Sequence, residues 1–153
     1  MASAIAESLA NLYTQDETAW LEAMAELVSR RDLAGLDLDN LREYLTDMAS
    51  RDRREVKNRL VILLAHLLKW EFQPEKRSRS WRSTVLNQRQ ELADLAGRGV
   101  LRAHAETVLS EAYKNAVELA ASETGLPSDS FPVDCSYTIE QVFAIDLADG
   151  EVI

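Results

Sequence analysis

Residues 60–68, LVILLAHLL, leave this chain few ways to fold. Wound as a helix they put apolar side chains on nearly every face, so no side is suited to water. The run is broken by His66 and falls far short of the roughly 20 residues that span a bilayer, so protein has to surround it. From about Ser50 to Phe72 the chain is polar first and apolar second, the pattern of a helix whose C-terminal half is a central rod. Pro74 ends it.

Helical patterns are legible on both sides of the rod. Ala19/Trp20, Ala23/Met24 and Leu27/Val28 recur every four residues, with Glu22, Glu26 and Arg30 off the stripe. Thr14 and Glu17 have capping-box spacing at its start. Leu38, Leu41, Leu45 and Met48 follow the DLDN turn, where Asp37 or Asp39 can accept from free backbone amides. A further helix is predicted over about 80–96, with Trp81, Val85, Leu92 and Leu95 on one face and Gly97 and Gly99 as its stop. Leu101, Ala105, Val108, Ala112, Ala116 and Leu119 mark the clearest helix, closed by Gly125 and Pro127. After SDSFPVDCSY, an irregular stretch, Thr138 and Gln141 can open one short helix more.

No hairpin signal, convincing alternating strand or repeat appears. The expected fold is all-α, one helical bundle of four to five main helices with an extended C-terminal arm and a short terminal helix. At 153 residues and 46% hydrophobic content a single domain over 1–153 can bury a core without staples. Cys135 is the only cysteine, which excludes an internal disulfide. MASAIAESLA has no basic leader, so a cytoplasmic protein without membrane attachment is expected.

The net charge of −9 hides a strong segregation. Over residues 1–50 three basic residues stand against ten acidic; over 51–82 ten stand against four; over 83–153 four stand against twelve. One basic island therefore lies between acidic arms. Arg53, Arg54, Lys69, Lys76, Arg77, Arg79 and Arg82 are its candidate binding residues, since arginine forks beside aromatics suit phosphate or nucleic acid. The competing reading is an architectural joint built on His66, Trp70, Pro74, Trp81 and Gln88. There the rod ends at Trp70, Pro74 turns the chain out and Trp81 re-enters the core, with arginines such as Arg79 and Arg82 tying the bend to carboxylates. Gln88 shares the Trp81 stripe and needs a partner if buried, which the loop backbone or Arg79 can supply.

Chemistry has little to stand on. His66, His104 and Cys135 lie on separate elements, too scattered for a transition-metal site, and no cofactor is implied. His66 has Lys69 and Trp70 at helical spacing but no second catalytic group beside it. Cys135 lies near a helix start, where the dipole favours slight acidification, but the expected role of its thiol is structural. No phosphate loop, nucleotide fingerprint or nucleophile elbow is present, and no catalytic residue is assigned.

HLLKWEFQPEKRSRSWRSTVLNQRQEL, with ETGLPSDSFPVDCSYT, resembles the bacterial domain-of-unknown-function family 29, common in cyanobacteria and proteobacteria, over about residues 12–143. The resemblance implies a small all-α protein and supplies no activity, cofactor or catalytic residue. Cys135-Ser136-Tyr137 stands where that family usually has Cys-Pro-Tyr, and IDLADGEVI departs from its aromatic, proline-containing ending. The expected role is a non-catalytic interaction or regulatory module with a protein partner, a homodimer included. Binding of nucleic acid or a phosphorylated ligand through 51–82 is the alternative, and an enzyme of unrecognised class a second one.

Overall fold

The computed structural model of the chain describes residues 2–148 and 151–152. The apolar rod lies where the pattern puts it: Leu60, Leu63, Leu64, Ala65 and Leu67 are fully buried. Val61, Ile62 and His66 are only half-buried. Glu55, Arg59, Ile62 and His66, spaced four, three and four, thus form one partly open stripe along the rod.

The rod belongs to a longer helix than the periodicity suggests. The pattern through Met48 and the segment from about Ser50, read separately, are one helix over Leu38–Phe72, 35 residues long. No glycine or proline interrupts residues 37–73, and the polar middle is rich in Arg, Glu and Lys, all good helix formers. Glu55 and Arg59 pair across one turn at 2.9 Å.

The chain falls into two compact units, residues 1–50 and 51–153. In the first, α1 (Ala2–Gln15) and α2 (Glu17–Ser29) precede the start of the long helix, α3 (Leu38–Phe72). The Thr14–Glu17 capping box does not form. Thr14 donates back to the Asn11 carbonyl, and Asp16 caps α2 by accepting from the Ala19 amide at 3.1 Å. α2 ends when Arg31 turns left-handed, at φ 59°, so that the amides of Arg31 and Asp32 reach the carbonyls of Val28 and Leu27. Asp37, expected to cap the backbone, accepts from the Trp20 indole at 3.1 Å and the Asn40 amide group at 2.7 Å. Trp20 is fully buried against Tyr13 and Tyr44, with ring centroids 4.7 and 5.9 Å away.

In the second unit α4 (Arg79–Ala96) and α5 (Gly99–Thr124) join residues 51–72 of α3. Lys57 pairs with Glu111 and Lys69 with Glu123, the same separation of 54 residues twice, so this part of α3 and α5 run parallel in register. α4 runs back between them in sequence, and Gly99 at φ 73° turns the chain into α5. Buried Ala105, Ala112, Ala116 and Ala120 give α5 a small-residue face that admits close packing. Gly125 (φ 77°) stops α5 as predicted. The arm then returns along the helices, with Phe131 edge-on to Phe72 at 5.4 Å and Tyr113 donating to the Pro132 carbonyl at 2.6 Å. α6 (Ile139–Ala144) opens on the Thr138–Gln141 capping box, and its C-terminal flank is held where Arg89 donates to the Ile145 carbonyl. Strand structure among the described residues is limited to two antiparallel pairs between β1 (Leu147–Ala148) and β2 (Glu151–Val152). No helix there is long and apolar enough to cross a membrane.

Candidate functional site

At the joint, α3 ends in a buried turn whose last carbonyls need donors. Gln73 N–H takes the Lys69 carbonyl, and Arg77 Nε donates to that of Trp70 at 2.8 Å. The Arg77 guanidinium also lies 5.0 Å from the Trp70 ring centroid. A cation here complements the negative end of the helix dipole. Pro74 starts the short 3-10 turn Pro74–Lys76, and Ser78 caps α4 by accepting from the Trp81 amide. Trp81 packs partly buried on the core. Trp70 is 5% exposed, and its indole nitrogen has no hydrogen-bond partner among the described residues.

Lys69 is the unusual cation. Its side chain is 8% exposed, its ammonium pairs with Glu123 at 2.5 Å, and the same nitrogen sits 5.0 Å from the Trp81 ring centroid. Gln88 accepts from Arg59 at 3.2 Å, not from the loop or Arg79, and Arg59 also pairs with Glu55 and Glu91.

These contacts divide the basic island. Lys69 and Arg77 turn inward, and Arg53 is half-buried. Arg54, Lys76, Arg79 and Arg82 are exposed and make no ion pair among the described residues. The carboxylate ties anticipated for Arg79 and Arg82 are therefore absent there, and Lys69 and Arg77 hold the bend. Arg77→Ala should cost about 1–2 kcal/mol, the worth of a charged hydrogen bond with its ring contact, while Arg79→Ala and Arg82→Ala stay within about 0.5 kcal/mol. Urea titration of the three variants checks this ordering.

His66 donates Nδ1–H to the Ile62 carbonyl at 2.8 Å, which leaves Nε2 as acceptor. Burial, chiefly, and the Lys69 charge push its pKa below the usual value near 6.5, against Glu123 and the carbonyl bond. The unfolded chain then binds the proton more readily than the folded one. The part of the stability linked to His66 should be fully present above about pH 6.5 and be lost as pH drops below it. Denaturant midpoints of wild type and His66→Gln between pH 5 and 8 test this; the variant should lose part of the slope below pH 6.5.

Around Tyr137 the two stretches that carry the family resemblance meet. The Tyr137 hydroxyl donates to Glu71 at 3.0 Å, and burial and that carboxylate hold the phenol far above its ordinary pKa. The Cys135 thiol donates to the Tyr137 carbonyl, and burial pushes its pKa up, against the alternative of a thiol acidified by the helix start. Thr138 caps that start, and Cys135 lies outside it. This cluster offers a held phenol and a quiet thiol, no activated nucleophile. Among the described residues no three His, Cys, Asp or Glu side chains group to hold a metal ion.

A feature the periodicities did not single out lies in the first unit. Ile5, Leu9, Leu27, Leu36 and Leu38 line an open groove of about 690 Å³. Ile5 and Leu38 remain 62% and 63% exposed. Every charged residue in the lining is acidic: Asp32, Asp37 and Asp39. The signal was present as Ile5 and Leu9 one turn apart, but α1 was not anticipated.

The sequence model of the family described as Domain of unknown function DUF29 matches residues 12–147. No curated protein and no solved structure matches the chain.

Proposed function

Since the chain belongs to the DUF29 family, whose description carries no activity, we propose from its surface that it is a non-catalytic protein-interaction module docking through the first unit. The observation that supports this is the groove with Ile5 and Leu38 left largely in water. Apolar side chains clustered in one acidic-rimmed depression mark an interaction site more often than scattered exposed leucines do. A cytoplasmic setting and a partner protein, a second copy included, complete the reading.

A second reading has an observation of its own. Lys76, Arg79 and Arg82, clustered in sequence around the joint, are exposed without ion pairs among the described residues, as contact with nucleic acid or a phosphorylated ligand requires. Affinity capture separates the two. The full chain, an Ile5→Glu/Leu38→Glu variant and an Arg79→Glu/Arg82→Glu variant are compared, with nucleic acid assayed in each eluate. Protein partners lost only in the groove variant support docking. Salt-sensitive nucleic acid lost only in the charge variant would put the function on the basic segment.

A further inference from the structure

We propose that the occupant of the first-unit groove is a cationic amphipathic helix of a partner protein, an assignment that rests on reading the groove as the docking face. Its floor and lip are aliphatic, supplied by Ile5, Leu9, Leu27, Leu36 and Leu38. A depression between helices with no free strand edge beside it is suited to a helix that inserts apolar anchors one turn apart.

Charge then selects the class of helix. The carboxylates of Asp32, Asp37 and Asp39 border the groove, and no Lys or Arg joins them in the lining. Asp32 and Asp37 have local donors in the Gly35 amide and in Trp20 and Asn40, whereas Asp39 has no hydrogen bond among the described residues. Residues 1–50 carry three basic against ten acidic side chains, so the surrounding field has the same sign as the rim. Lysine or arginine flanking the apolar anchors is steered in and paired on arrival.

The same field disfavours the other occupants. A second copy docked groove to groove about a two-fold axis sets this acidic rim against itself. An anionic lipid surface and a nucleic acid backbone are both repelled. A partner helix with basic flanks is the one class that satisfies both the aliphatic floor and the rim.

The test uses a random helical peptide library displayed on phage, panned on the 153-residue chain and counter-selected on Ile5→Glu/Leu38→Glu, whose fold is checked by circular dichroism. Peptides that survive should be net positive, with apolar residues at i, i+4 and i+7. A synthetic representative should bind about tenfold more weakly to Asp39→Lys and less tightly to Asp39→Asn, and weaken as salt rises. Survivors that are neutral or acidic would overturn the cationic assignment and leave the docking face standing. No survivor beyond counter-selection would overturn the docking face itself. Self-association by sedimentation that Ile5→Glu/Leu38→Glu abolishes would put a second copy in the groove and overturn the assignment.

Discussion

Leu63→Ala is expected to cost about 2–5 kcal/mol, because the side chain is fully buried in the rod and its removal leaves a cavity as well as lost transfer energy. Leu64→Ala should behave alike. Both neighbours face protein because α4, α5, the arm and α6 contribute to one cluster with them: Val85 and Leu92, Ala112 and Tyr113, Phe131, and Val142. The urea midpoint of the second unit should shift with an unchanged slope. A loss under 1 kcal/mol would mean that the rod is not the centre of that cluster.

The second large effect separates the ends of one ion pair. Glu123→Ala leaves the Lys69 ammonium buried without its carboxylate, and should cost about 2 kcal/mol, below the 3–5 kcal/mol of a fully buried pair because Glu123 is itself 41% exposed. Lys69→Met removes the charge and keeps a long apolar chain against Trp81, so it should change stability by less than about 1 kcal/mol in either direction. Equilibrium unfolding of both variants decides it. Equal losses at the two ends would show that the pair contributes by attraction more than by cancelling a burial penalty.

The parts of the fold that were legible are those where one local pattern had one solution. LVILLAHLL had to be central, the four–three spacing of Leu101 to Leu119 had to be a helix, and Thr138 with Gln141 had to start one. The start of α2 was not decidable in the same way. Thr14 and Asp16 both carry capping oxygens two residues apart, and only the path of the backbone selects Asp16. The continuity of α3 was hidden because its apolar stripe lapses between Met48 and Val56 while helix-forming charged residues carry it on. At the joint, Trp70 and Pro74 marked the bend, but the partners of its cations lie far off in sequence. Lys69 meets Glu123 across 54 residues, and no local spacing reports such a pair. The groove was illegible for a related reason: Ile5 with Leu9, and Leu27 with Ala23, have the spacing of core positions, and a pattern does not tell a filled apolar face from an open one.

The three tryptophans divide between the units, which gives the protein its own optical labels. Trp20 reports residues 1–50 from a fully buried site with its indole bonded to Asp37. Trp70 and Trp81 report residues 51–153, each with a cation 5.0 Å from its ring. Phenylalanine at either set leaves tryptophan emission, excited selectively over tyrosine, from one unit alone, without any attached dye. Following the two signals through one denaturant series measures whether the acidic first fifty residues and the rod-centred remainder melt together or in sequence.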